Sequence, residues 1–83
     1  MLIAPRCAMG DLKETVATNV RRLRNAQGWT QEDLAHQVGL SARYVGQIER
    51  AQASMSITVL GRLADTLRVK AGVLVTPASK QTD

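Results

Sequence analysis

The stretch Thr30–Arg50 reads TQEDLAHQVGLSARYVGQIER, and it contains the strongest structural signals in the chain. Thr30 and Asp33 have the three-residue spacing of a capping box, which predicts a helix that begins directly after Thr30. Gly39 is expected to end this helix, because glycine adopts the left-handed conformation that closes a helix at little cost. Ser41 is a favourable N-cap for a following helix. The stretch therefore predicts two short helices joined by a tight turn.

The side chains of these two helices predict how they pack. Ala35 lies at the expected crossing point, where a small side chain permits close approach. The apolar residues expected to fix the angle between the helices are Leu34, Val38, Leu40, Val45 and Ile48. The outer surface of the second helix is then expected to consist of Ala42, Arg43, Tyr44, Gly46, Gln47 and Arg50. This layout is that of a helix-turn-helix.

Hydrophobic periodicity predicts further helices on both sides of this motif. The spacing of Asp11 and Glu14 predicts the start of a first helix, with its apolar face at Leu12, Val16, Val20 and Leu23. Ser56 is expected to cap a fourth helix, with its apolar face at Ile57, Val59, Leu60, Leu63, Ala64 and Leu67. The apolar stretch 69–75 predicts a fifth. We therefore expect an all-α, five-helix domain over 11–76, a flexible N-terminal arm at 1–10 and a flexible C-terminal tail at 77–83.

Length and composition indicate one small cytoplasmic domain. The 83 residues are 45% hydrophobic but include no Phe, so the core must be mainly aliphatic. No apolar run approaches the roughly 20 residues that span a membrane, and the residues before Met9, an alternative translation start, do not resemble a secretory signal. Cys7 is the only cysteine, which excludes a disulfide within the chain. The net charge of +4 favours an anionic partner such as nucleic acid, although solubility alone explains such a charge equally well.

The sequence does not favour an enzyme. His36 is the only histidine, and no Ser, Cys or carboxylate group is spaced around it to form a catalytic set. Glu32 and Asp33 lie in the first turn of a predicted helix, where carboxylates are stabilising, so capping explains them better than acid–base catalysis. Neither a phosphate-binding glycine loop nor a metal-ligand spacing is present. We expect no cofactor and no metal.

Three segments resemble the lambda-repressor and Cro type of helix-turn-helix protein, which includes the regulators named after the xenobiotic response element. They are NVRRLRNAQGWTQEDLA (19–35), VGLSARYVGQIER (38–50) and ITVLGRLADTLRV (57–69), within a resemblance that runs from about Val16 to Leu74. The resemblance implies a five-helix DNA-binding domain that acts as a transcription regulator. The chain departs from the family pattern at Ala51, Met55 and Arg68, where the family often has Gly, Pro and Gly.

The resemblance implies that the helix beginning near Ala42 enters the major groove of double-stranded DNA with its N-terminal end first. Arg43 and Gln47 lie four residues apart and so share a helix face. Arginine can bind O6 and N7 of guanine and glutamine can bind N6 and N7 of adenine, each pair giving about 1–3 kcal/mol of discrimination. Ala42 fits against a thymine methyl group, and Ser41 against a base or a phosphate. The alternatives are a phosphate contact for Arg43 and a solvated side chain for Gln47.

The expected phosphate ligands lie at both ends of the motif. Gln31 is at a helix N-terminus, where free N–H groups attract phosphate, and the resemblance implies the same role. Tyr44 and Arg50 are further candidates, with packing on the domain surface as the alternative for Tyr44. The resemblance also implies that Arg24 forms a structural ion pair with Glu49, and Arg24 is a candidate phosphate ligand as well.

The neighbouring arginines and the C-terminal valines have less specific interpretations. Arg21 and Arg22 cannot both face DNA together with Arg24, because residues this close spread around a helix, so we interpret them as solvated. Relatives dimerise across a two-fold axis, with half-sites roughly 34 Å apart. The expected dimer interface consists of Val69, Val73, Leu74 and Val75. The alternative is that these residues complete the core of the monomer.

The expected function is therefore a homodimeric transcription regulator, with repression as the expected effect. The alternatives are an antitoxin that also binds a toxin, or a restriction–modification controller, since both use this fold. A protein-interaction module without DNA binding is a third hypothesis. Because the sequence shows no sensor domain, we expect regulation by the concentration of the protein itself.

Overall fold

Five α-helices form the domain in the computed structural model, which describes the backbone of residues 8–81 and the side chains from residue 12. The elements are α1 (Ala8–Ala26), α2 (Gln31–Val38), α3 (Ala42–Glu49), α4 (Ile57–Leu67) and α5 (Ala71–Leu74), followed by a 3₁₀ turn at Ala78–Lys80. The described residues contain no β-strand, which confirms the all-α prediction. None of their helices is long and apolar enough to cross a membrane.

Local hydrogen bonds explain where the helices of the central motif begin and end. Thr30 Oγ1 accepts from the Asp33 amide at 3.0 Å, and Asp33 Oδ2 accepts from the Thr30 amide at 3.0 Å. Gly39 closes α2 with a φ of 78°. The hydroxyl of Ser41 accepts from the Tyr44 amide at 3.0 Å and so caps α3. Ser56 caps α4 in the same way, and these four predicted caps are confirmed.

Helix α1 begins earlier than predicted. It starts at Ala8, so Asp11 and Glu14 lie inside the helix and do not form its N-terminal cap. A three-residue spacing is also one helical turn, so it fits the interior of a helix as well as its start. The predicted arm therefore overlaps α1 at residues 8–10, while its residues 1–7 lie outside the described part of the chain. In the predicted tail, Gln81 Nε2 donates to the carbonyls of Val73 and Thr76 at 2.9 and 2.8 Å.

The core lies where α1, α2, α3, α4 and α5 meet. Its buried apolar residues are Val16, Val20, Leu34, Ala35, Val38, Val45, Ile48, Leu63, Ala64, Leu67 and Leu74. Helix α3 packs against α2 and α1, while α5 packs against α4 and α1. This arrangement holds α3 by one face and leaves its opposite face at the surface.

Within residues 8–81, two residues other than glycine have a left-handed backbone. Ala51 follows α3 with a φ of 60°, and Arg68 ends α4 with a φ of 62°. A Cβ atom disfavours this conformation by roughly 1–2 kcal/mol, and glycine adopts it freely. Both positions are among those at which the resembled family often has glycine, so the chain has backbone strain at both.

We expect Ala51→Gly to raise the free energy of unfolding by about 0.5–1 kcal/mol, because relief of the strained φ exceeds the added entropy of the unfolded chain. Arg68→Gly should act in the same direction. Ala53→Gly is the matched control, since Ala53 does not have a positive φ, and it should be destabilising. Urea denaturation of the three variants measures the difference. If Ala51→Gly loses as much stability as Ala53→Gly, the backbone at Ala51 is not strained.

Candidate nucleic-acid interface

The outward face of α3 carries the residues expected to recognise bases. Arg43 is exposed to solvent, while Gln47 one turn later is partly exposed. Ser41 precedes them at the N-cap. Its oxygen accepts the hydrogen bond from the Tyr44 amide, so its O–H remains as a donor to a base or a phosphate. These three side chains follow one another from the start of α3 along its exposed side.

The opposite face of α3 is anchored in the core. Val45 and Ile48 are 0% and 1% exposed, respectively. Ala42 and Tyr44 are partly buried and also pack against the core. Tyr44 is partly buried, in agreement with packing on the domain surface. Its binding to a phosphate stays a prediction. Together these contacts fix the rotation of α3, so that Arg43 and Gln47 point away from the domain.

A buried ion pair joins three helices beneath this surface. Arg24 Nε donates to Glu49 Oε2 at 2.6 Å, and Arg24 Nη2 donates to Glu49 Oε1 at 3.0 Å. Arg24 Nη1 also donates to the Trp29 carbonyl at 2.7 Å. Gln31 Nε2 adds a hydrogen bond to Glu49 Oε1 at 3.1 Å. Glu49 is 1% exposed, so its negative charge is enclosed by donors and does not face a bound anion.

Gly46 is buried, which corrects the expectation that it lies on the outer surface of α3. The side chains of Gln31 and Arg50 approach each other over it. A Cβ atom on Gly46 would lie 3.1 Å from Arg50 Nη1 and 3.5 Å from Gln31 Oε1. The missing side chain thus lets the exposed guanidinium of Arg50 lie along α3 towards the start of α2. Two predicted phosphate ligands, one at the start of α2 and one directly after α3, are brought to one place, a result that helical periodicity cannot show.

Two arginine side chains donate hydrogen bonds to carbonyl groups at the ends of helices that are distant in sequence. The sequence did not indicate either contact. Arg21 Nη1 donates to the carbonyl of Glu49 at 2.7 Å, at the end of α3. Arg62 Nη2 donates to the carbonyl of Val38 at 2.9 Å, at the end of α2. A positive side chain at a helix C-terminus is favourable because it faces the negative end of the helix dipole. Arg21 therefore helps to position α3, which differs from its interpretation as a solvated side chain.

The other neighbouring arginine is also engaged. Arg22 Nη2 donates to Asn19 Oδ1 at 3.3 Å and to Gln81 Oε1 at 3.0 Å. Asn19 itself is 0% exposed, and its Nδ2 donates to the carbonyls of Val73, Leu74 and Thr76 at 3.1, 2.9 and 2.9 Å. This amide fastens α5 to α1. In the sequence, the sign of this contact is that Asn19 is a polar residue on the buried side of α1.

The residues expected at a dimer interface do not share one environment. Leu74 is 0% exposed and completes the monomer core, so it has no surface to offer a second subunit, which corrects its assignment to the interface. Val69 is partly buried and packs against the same core. Val73 is partly buried, while Val75 is 37% exposed. Of the four, Val75 has the most exposed side chain.

The chain is similar to known helix-turn-helix proteins in sequence and in fold. A family model for helix-turn-helix proteins matches residues 20–74. The crystal structure of a hypothetical transcription factor from Neisseria superposes with a TM-score of 0.82 at 30% identity, covering 94% of this chain and 91% of that one. The restriction-modification controller protein C.AhdI from Aeromonas hydrophila superposes with a TM-score of 0.73 at 36% identity, covering 80% and 98%. Control protein C.SmaI from Serratia marcescens is 38% identical over 66 residues, which are 80% of this chain and 79% of the relative.

Proposed function

The chain belongs to the helix-turn-helix family of DNA-binding transcription regulators, of the lambda-repressor and Cro type, which are not enzymes. From this premise we propose that it binds a palindromic operator in double-stranded DNA as a homodimer and represses transcription. The observation that carries the proposal is the outward face of α3, where Arg43 and Gln47 project from a helix whose other face is buried.

Base recognition is assigned to Ser41, Ala42, Arg43 and Gln47. The major groove of B-DNA is wide enough for an α-helix, and its base edges differ between the four base pairs. Arg43 supplies the forked donor that fits guanine, and Gln47 supplies the donor and acceptor pair that fits adenine. Their side chains need no rearrangement of the core, because Val45 and Ile48 hold the other side of α3.

Phosphate binding is assigned to the groups that flank α3. Arg50 lies over Gly46 close to Gln31, and its guanidinium can donate to a phosphate. Gln31 Nε2 has two N–H groups, of which one donates to Glu49 Oε1, so the other is left for a phosphate. The free N–H groups at the start of α2 favour the same phosphate. Tyr44 and Arg24 complete the assignment. Three N–H groups of Arg24 are used inside the domain, which leaves two of its five for an anion.

A homodimer supplies the specificity that one recognition helix lacks. A single α3 covers a few base pairs, whereas two copies related by a two-fold axis contact two half-sites roughly 34 Å apart. The operator would then be palindromic, since the symmetry of the protein is repeated in the DNA.

A restriction–modification controller is the second candidate. It is favoured by the controllers C.SmaI and C.AhdI, which match this chain over most of their length. The DNA-binding chemistry would be the same, and the regulated genes would encode a nuclease and a methyltransferase. A restriction nuclease gene beside this one would support the controller, and its absence would favour a free-standing regulator.

Selection of bound DNA from a random duplex library tests the proposed function. We expect recovery of a palindrome whose half-sites lie one helical turn apart, at physiological salt concentration. A recovered sequence without symmetry would contradict the dimeric mode of binding. If no sequence is enriched, sequence-specific DNA binding is excluded, and the fold then serves a protein partner.

A further inference from the structure

Three large apolar side chains are exposed in the part of the chain that the structure describes. They are Ile57, which is 88% exposed, Leu12 at 47% and Val75 at 37%. They come from the start of α4, the first half of α1 and the residue after α5. All three border the same open cavity. Exposed apolar residues gathered into one patch mark an interaction site, whereas isolated ones need no explanation.

The cavity beside Ile57 has a volume of about 230 Å³ and is largely apolar. Its walls include Val16, Met55 and Leu60, and Lys13 is the one charged residue that lines it. An isoleucine side chain has four carbons, and a cavity of about 150 Å³ with apolar walls accommodates benzene. The surface therefore presents a protruding apolar side chain directly beside a cavity large enough to receive one.

We propose that this patch is the contact surface for a second copy of the chain, with Ile57 of each copy entering the cavity of the other. A two-fold symmetric interface brings the same patch of both copies together. The protruding side chain of each copy can then fill the cavity of the other, so the same contact is made twice. The proposal rests on the homodimer of the proposed function and specifies its interface. Of the interface residues expected from the sequence, it retains Val75.

A second copy explains the patch better than a small ligand does. A ligand in the cavity would leave most of Ile57 in water, whereas a partner copy covers both the cavity and the protrusion. The scarcity of charge in the cavity also favours an apolar occupant, since a buried charge is costly to desolvate.

The position of the patch also suits a DNA-binding dimer. The segment 53–56, which connects α3 to α4, forms one wall of the cavity. A two-fold axis through this patch therefore brings the connecting segments of both copies together. Helix α3 ends at Glu49, close in sequence to this segment, so the two α3 helices end near the axis.

Substitution of Ile57→Asp tests the proposal, with Thr58→Asp as the matched control. Both residues are exposed in the first turn of α4, where an added carboxylate favours the helix, so both variants should fold. Thr58 does not line the cavity. In sedimentation equilibrium we expect Ile57→Asp to raise the dimer dissociation constant at least roughly 30-fold. Thr58→Asp should leave it near the wild-type value.

The outcomes separate this interface from the proposed function. A wild-type dimer that persists in Ile57→Asp would overturn the interface but leave a DNA-binding dimer intact. A wild-type monomer would overturn both the interface and the homodimer. A monomeric Ile57→Asp that keeps the base preference of one half-site, with lower affinity for the palindrome, would support both.

A second measurement locates the contact directly. In a mixture of isotope-labelled and unlabelled wild-type chains, we expect NMR cross-peaks between Ile57 methyl groups of one copy and Leu60 or Val75 methyl groups of the other. Intermolecular cross-peaks confined to other residues would overturn the proposal.

Discussion

Replacing Glu49 by alanine is expected to lower the free energy of unfolding by about 3–5 kcal/mol. The substitution removes the partner of Arg24, whose side chain is 14% exposed, and so leaves a mostly buried guanidinium without a counter-ion. It also removes the acceptor of Gln31. Because a small domain has a total stability of about 5–15 kcal/mol, this loss is a large part of the whole.

Thermal and urea denaturation measure this loss. The melting temperature should fall by at least about 12 °C for a domain of this size. Glu32→Ala is the matched control, because Glu32 is an exposed carboxylate in the first turn of α2 and should contribute only a few tenths of a kcal/mol. If the two variants lose equal stability, the ion pair has no structural role. Replacing Arg24 and Glu49 together by leucine should recover part of the loss, since no unpaired charge then remains.

Asn19→Ala is expected to lower the free energy of unfolding by about 2–4 kcal/mol. The asparagine amide donates to three carbonyls at the C-terminal end of α5, and alanine leaves the buried Leu74 carbonyl without this donor. Helix α5 has only four residues, so it depends on such contacts more than on its own hydrogen bonds.

Denaturation combined with hydrogen exchange tests this attachment of α5. In Asn19→Ala we expect faster exchange at the amides of Val73 and Thr76, in addition to the global loss of stability. Asn25→Ala is the control, because Asn25 lies on the same helix but is exposed. Equal effects of the two substitutions would show that the Asn19 amide does not hold α5 in place.

The sequence predicted the features that depend on local chemistry. Thr30, Gly39, Ser41 and Ser56 act on backbone groups within a few residues of themselves, so their spacing alone indicates the ends of the helices. The apolar periodicity of α3 likewise predicted that Val45 and Ile48 are buried. Local interactions of this kind are the same in any fold, so they could be inferred without knowledge of this one.

Features that depend on distant residues could not be inferred in this way. Gly46 is buried because side chains from two helices cross over it, and Arg21 is engaged because the end of α3 lies beside α1. Ile57 fits the apolar face of α4 by periodicity, yet it projects into solvent at the start of the helix. Periodicity specifies the direction of a side chain around its helix, but it does not specify whether a neighbouring element covers that direction.

The central claim is that α3 recognises bases through Arg43 and Gln47. Selection from a random duplex library with Arg43→Ala, Gln47→Ala and Arg50→Ala tests it most directly. We predict that each of the first two variants loses its preference at one position per half-site, by about 1–3 kcal/mol, while Arg50→Ala weakens binding to all sequences alike. If Arg43→Ala and Gln47→Ala also weaken all sequences alike and leave the preferred sequence unchanged, these residues do not recognise bases, and the central claim is wrong.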